Sequence, residues 1–351
     1  MEIKRLIVEI AARHVLGCFR SVVRIQLASP FLPALESPPY INRFAFTVCN
    51  CCSRAFLSWQ SMDCRFRAPS RLHCRRSRHG SRVIRSSLRR PMTFSRGDFL
   101  MTLIASHRGG AHLWPENTRL AFSETAKLDV DLGEFDVHQT RDGKLVVHHD
   151  ALIDRMTDGK GAIADFSYEE LMRHIVIGSG GETIPTLMET IDIFGPSAVD
   201  LRLEIKTKAD GSPYEGMEPR IVDELLATGM LTRTMVTSFA LPRLEAFGLA
   251  LDERGLNVGE LLGFILLCSP QAAAQLGWNG IMAALRSAGL REIAVRADAL
   301  DAEIMEFFRK GGVRVHGWAA HTEEAARAMF RLGVASFTSD RPDLAIAARR
   351  G

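Results

Sequence analysis

From Leu103 onward, short apolar runs alternate with amphipathic segments to the end of the chain. The runs at 103–107, 132–137, 199–206, 234–239, 258–267, 291–296, 313–319 and 335–339 have the length and composition of buried strands. Between them, apolar positions recur at helical spacing. Thr322 reads as an N-cap before Glu323 and Glu324, with Ala325, Ala326, Met329 and Leu332 on one face and Gly333 just past the end. Asp301 opens a helix that buries Ile304, Met305, Phe307 and Phe308, and Pro219 stands near the start of one carrying Ile221, Val222, Leu225 and Leu226. Strands and helices in strict alternation predict an α/β protein with a parallel sheet. Eight such repeats within residues 101–351 fit a TIM (β/α)8 barrel, which typically needs about 250 residues.

The alternation fails once, after the second strand. Residues 139–185 contain a hairpin signal at Asp142-Gly143, then a stretch bearing Gly159, Gly161, Gly178, Gly180 and Gly181. This is too long for an ordinary βα loop, so a small insertion forming a lobe over the barrel mouth is expected. Residues 101–351 therefore read as one barrel domain with an insertion at about 139–185.

Composition divides the chain at the same place. Residues 1–100 hold 18 Lys+Arg against 5 Asp+Glu, while residues 101–351 hold 26 against 36, so the two parts sit at +13 and −10. The basic part has one Lys to seventeen Arg, six of the seven Cys, and no sustained period after about residue 30. Its cysteines lack the paired spacing of a zinc module, and the apolar stretch Leu6 to Val23 is broken by Glu9, Arg13 and Arg20, unlike a signal peptide. An organelle transit peptide or a non-specific nucleic-acid arm fits the Arg/Ser bias. The favoured expectation is an irregular, disordered extension, or sequence upstream of a true start at Met92 or Met101. The barrel itself is acidic, which argues against nucleic acid. The longest apolar run, Leu261 to Cys268, is far shorter than a membrane span, so a soluble, cytoplasmic protein is expected.

Candidate chemistry sits at strand ends, where barrels place their working groups. Glu134 and Asp136 are separated by one residue and share a side, while Phe135 and Val137 face the other way. Arg202, Glu204 and Lys206 alternate likewise with Leu201, Leu203 and Ile205. Three carboxylates brought together repel one another, and a bound hard cation (Mg²⁺ or Ca²⁺, with Mn²⁺ a third choice) relieves that repulsion. His107 and His149 titrate near neutrality, as an acid–base pair must. His148 and His149 face opposite sides, and parity alone does not say which looks into the site. Arg108 presents a planar fork to phosphate oxygens, and Lys206 a point charge beside it.

His107-Arg108-Gly109, Pro115-Glu116-Asn117-Thr118, Glu134-Phe135-Asp136-Val137, Thr140-Arg141-Asp142-Gly143, His149-Asp150, Leu203-Glu204-Ile205-Lys206 and Thr338-Ser339-Asp340-Arg341-Pro342 follow one another in this order. The series resembles that of the glycerophosphodiester phosphodiesterases and covers essentially all of 103–345. The resemblance implies Glu134, Asp136 and Glu204 as metal ligands, His107 and His149 as the acid–base pair, and Arg108 and Lys206 as the phosphate clamp. It selects His149 over His148, since the family histidine directly precedes Asp. It implies that Glu116 and Asn117 brace the first loop and that Trp318 walls the glycerol pocket. His321 departs from the usual Asn at that point. The activity implied is hydrolysis of a small-molecule glycerophosphodiester to glycerol 3-phosphate and an alcohol, through attack of the glycerol 2-hydroxyl and a cyclic phosphate. A lysophospholipase D using the same centre and a non-catalytic phosphodiester-binding barrel are the competing readings.

Overall fold

The computed structural model describes residues 101–350. The expectations for residues 1–100 lie outside that range. Nine strands are described: β1 (Leu103–Ser106), β2 (Leu132–Gln139), β3 (Leu145–Val147), β4 (Asp200–Ile205), β5 (Thr234–Ser238), β6 (Gly263–Cys268), β7 (Glu292–Arg296), β8 (Arg314–Trp318) and β9 (Ser336–Ser339). All but β3 run parallel in chain order around a barrel, closed where β1 pairs with both β9 and β2. The helices are α1 (Arg119–Thr125), α2 (Tyr168–Leu171), α3 (Leu187–Phe194), α4 (Met217–Ala227), α5 (Leu241–Asp252), α6 (Pro270–Ser287), α7 (Ala302–Lys310), α8 (Glu323–Leu332) and α9 (Pro342–Arg350).

Side-chain alternation builds two layers from each strand. Phe135, Val137, Leu201, Leu203 and Ile205 join the core shared with Ile191, Phe194, Ile221 and Leu225 of the helices. The opposite faces of the strands contribute Ala105, Leu132, Met235, Ile265, Leu267 and Ala294 to a separate inner cluster. The expected caps are present: the Thr322 hydroxyl accepts from Ala325 N–H and the Asp301 carboxylate from Ile304 N–H.

The sixth strand starts later than the apolar run suggested. Asn257 and Glu260 form a reciprocal cap around a 3-10 turn at Val258–Glu260, so the backbone there is curled and only Gly263 onward pairs with β5. The second strand runs longer, because β2 continues past the barrel rim into the hairpin that Asp142-Gly143 turns, pairing antiparallel with β3. The insertion beyond it has its own small core of Val146, Ile153, Ile163, Leu171, Val176 and Ile184. Arg119 at the start of α1 ties this lobe to the loop after β1, its backbone N–H reaching Glu182 and its guanidinium Glu189. Among the described residues no helix is long and apolar enough to cross a membrane.

Candidate active site

Strand register decides which acids meet. In the β2–β4 ladder Asp136 lies opposite Glu204 and Glu134 opposite Arg202. One carboxylate oxygen from each of Glu134, Asp136 and Glu204 falls within 4.8 Å of the others, and all three residues are buried. Just beyond β4, the Lys206 ammonium lies 2.8 Å from Asp136 Oδ1 and 2.6 Å from Glu204 Oε1. Burial, reinforced by the neighbouring Asp136 and Glu204 charges, pushes the Glu134 carboxyl up to about 7. Burial also raises Glu204, against the pull of Lys206. Asp136 goes the other way: burial opposes its charge, but Lys206, His149 and Arg108 together hold it well down. A hard, all-oxygen donor set, buried and with a cationic group already drawn onto two of its members, fits a divalent metal ion.

The loop after β1 closes over this trio through strained backbone. Arg108 (φ 51°) and Asn117 (φ 55°) both sit in the left-handed region, and Asn117 N–H donates to Arg108 C=O at 3.0 Å. Gly109 (φ 77°) has no alternative, since a Cβ there would meet Ala121 Cβ at 2.7 Å. The turn aims Arg108 N–H at Glu134 Oε2 (3.0 Å) and the Arg108 guanidinium at Glu116 (3.1 Å) and Asp136 (3.6 Å). Asn117 Nδ2 donates to Asp136 Oδ2 at 2.9 Å, while its buried Oδ1 has no partner.

Each exposed-edge histidine is held by a carboxylate. His107 Nδ1 donates to Asp340 Oδ1 at 2.5 Å, leaving Nε2 at 3.9 Å from Glu134. Burial works against a charge on His107, but Glu134 and Asp340 outweigh it and its pKa is raised. His149 Nδ1 donates to Asp150 Oδ1 at 2.6 Å. Burial, aided by Lys206 and Arg108, overrides Asp136 and Asp150 and brings His149 down to about 4. His148 is buried, its pKa also lowered by burial; its backbone N–H donates to Asp136 C=O, while its ring Nε2 has no partner. His138 is locked between the Tyr214 hydroxyl (2.8 Å) and the His149 carbonyl (3.2 Å). Trp318 stands on the rim, half-buried, with Phe239 edge-on at 5.7 Å.

Three contributors were not singled out for these roles from the sequence. Asp340 extends the inward set Ser336, Thr338, Asp340 of the last strand, so strand parity was a usable signal. Arg155 bridges Asp150 (2.6 Å) and Glu116 (2.6 Å) and comes from the insertion lobe, where nothing in the sequence marked it. His321 Nδ1 accepts from Asp340 N–H at 3.0 Å, so it braces the Asp340 turn. Replacing Asp340 by alanine frees the His107 ring and is expected to lower kcat about 10- to 100-fold, less than loss of the imidazole itself, with KM little changed. Steady-state kinetics checks this, and an unaltered kcat removes Asp340 from the orientation of His107.

Residues 107–344 match the model of the glycerophosphoryl diester phosphodiesterase family. The chain is 29% identical over 261 residues to a glycerophosphodiester phosphodiesterase of Caldanaerobacter subterraneus, covering 70% of this chain and 97% of that protein. It is 28% identical over 255 residues to the Bacillus altitudinis enzyme, covering 71% and 98%. A solved protein from Agrobacterium tumefaciens, provisionally described as a glycerophosphoryl diester phosphodiesterase, superposes with TM-score 0.67 at 35% identity over 71% of this chain and 98% of its own. An Oleispira antarctica phosphodiesterase solved with its product sn-glycerol-3-phosphate shares the fold, with TM-score 0.58 at 22% identity over 72% and 98%. With the family model spanning the barrel from its first strand end to its last helix, the chain belongs to the glycerophosphoryl diester phosphodiesterase family and is a hydrolase of glycerophosphodiesters.

Proposed function

We propose that hydrolysis takes place at the rim formed by the ends of β1, β2, β4 and β9, with glycerol 3-phosphate and a head-group alcohol as products. The observation carrying this reading is the meeting of Glu134, Asp136 and Glu204 within 4.8 Å, beside a histidine held by a carboxylate. In this reading Glu134, Asp136 and Glu204 hold Mg²⁺, Ca²⁺ or Mn²⁺, which when bound neutralises charge developing on the phosphoryl oxygens. The Arg108 guanidinium, turned toward the trio by its left-handed backbone, takes a phosphoryl oxygen. Lys206 places a second positive charge at the same level. Of His107 and His149, one removes the proton from the attacking glycerol 2-hydroxyl while the other delivers a proton to the departing head-group alkoxide; a water, deprotonated by the same pair, then opens the cyclic phosphate, and the freed 2-oxygen regains its proton to give glycerol 3-phosphate. Glu116 and Asn117 keep the first loop in register with Asp136, and Trp318 walls the glycerol side.

The bond broken distinguishes this reaction from other phosphodiester cleavages. With glycerophosphocholine the expected products are choline and glycerol 3-phosphate. Release of phosphocholine instead would put the cut on the wrong side of phosphorus and end the proposal. Running lysophosphatidylcholine beside it ranks the substrates, and faster turnover of the acylated compound would establish a lysophospholipase D.

A further inference from the structure

A TIM barrel normally fills its interior with apolar side chains in layers. Here one layer holds Arg202, among the largest fully buried side chains of the described residues, at 1% exposure. Its Nη1 donates to the Ser336 hydroxyl at 3.0 Å, and that hydroxyl lies 2.7 Å from Nδ1 of the equally buried His316. Neither partner is an acid. Among the described residues Arg202 enters no ion pair, although a guanidinium keeps its charge at any working pH.

The acids it does face are those above it. Arg202 is the β4 partner of Glu134 in the ladder, and Glu204 follows two residues later on the same face. Burial works against the Arg202 charge and lowers its pKa, while Glu134 and Glu204 favour it. An arginine enclosed with only a neutral hydrogen bond is costly unless nearby carboxylates offset its desolvation, and the ladder places Glu134 and Glu204 to do so.

We infer that Arg202 is a fixed counter-charge beneath Glu134, Asp136 and Glu204, and that it sets how tightly this site takes a divalent cation. The inference rests on the reading of those carboxylates as the cation site. Arg202 adds a third positive charge, after Arg108 and Lys206, to the surroundings of the three carboxylates before any ion arrives. Arg202 therefore stabilises the ion-free site and opposes a second positive charge in it. Lys206 and Arg108 reach the rim, where substrate oxygens engage them; Arg202 cannot leave the floor.

The test is calorimetric titration of Mg²⁺ and Mn²⁺ into the chelator-stripped full chain, with thermal unfolding of stripped and loaded forms. Arg202→Met is expected to bind either ion on the order of ten-fold or more tightly than the unaltered chain, since the positive charge carried by the ladder partner of Glu134 has been removed. Its stripped form should unfold at a lower temperature, and loading should raise that temperature by more than in the unaltered chain. Arg202→Lys, which keeps the charge, should bind as the unaltered chain does. Should stripped Arg202→Met not fold, Arg202→Gln retains a donor toward Ser336 and removes only the charge, and the same tightening is expected. Unchanged affinity in the neutral variants, with equal loss of stability in stripped and loaded forms, overturns the inference and leaves Arg202 a packing residue. An unaltered chain that binds neither ion, or a Glu204→Gln variant that binds as tightly as it does, overturns the cation site itself.

Discussion

His149→Ala is expected to lower kcat toward glycerophosphocholine by about 10²- to 10⁴-fold while leaving the barrel folded. The side chain makes one described hydrogen bond, to the adjacent Asp150, and is about a third exposed, so its removal opens no cavity and orphans no buried group. What is lost is the part-exposed imidazole that Asp150 holds. Asp150, kept down to about 2 mainly by Arg155 and His149 against the effect of burial, stays ionised and fixed by Arg155 in the variant. The neighbouring position separates chemistry from architecture. His148→Ala removes a buried ring, so it should reduce the unfolding temperature while costing kcat less. Kinetics and thermal unfolding of both variants decide the matter. Turnover near normal in His149→Ala ends the assignment of His149, and a larger kcat loss in His148→Ala reverses it.

Asp136→Asn should also be severe, with an activity loss of about 10²- to 10³-fold, the size expected when charge stabilisation worth several kcal/mol is lost. Asp136 accepts from Asn117, faces Arg108, and meets Lys206 at 2.8 Å, so neutralising it removes one of the proposed hard ligands and loosens both cationic groups. A chelator should produce a comparable loss in the unaltered enzyme, reversed by adding Mg²⁺ or Mn²⁺. Full turnover of chelator-treated enzyme would show that the trio needs no metal ion. In Asp136→Asn the same addition should restore little, because the missing charge belongs to the protein.

Much of this site follows from local geometry, and for that reason it is legible in the chain. Alternate residues of a strand face opposite ways whatever surrounds them, so Glu134 with Asp136, and Glu204 with Lys206, are paired by spacing alone. The Asp142-Gly143 turn, the N-caps at Thr322 and Asp301, and the number of barrel strands are equally local, since each depends on a few consecutive residues. The order of the short motifs added the family and the preference for His149 over His148.

Other features had to await closure of the barrel. Asp340 reaches His107 across 233 positions of sequence, and Arg155 spans from the lobe to Glu116. Such pairings depend on ladder register and on how a lobe settles, which are sums over many weak contacts. Lys206 lies against two of the acids because the β2–β4 register sets Asp136 beside Glu204. Val258, apolar enough for a strand, was curled out of the sheet by the reciprocal cap of Asn257 and Glu260. Arg202 reads in sequence as one more strand polar group; only its enclosure, with Ser336 and His316 as its neighbours, makes it a charge with no acid of its own. Chain spacing determined the direction of each side chain, while the closed sheet decided what each one meets, because direction is set by adjacent peptide units and encounter by the packing of the whole.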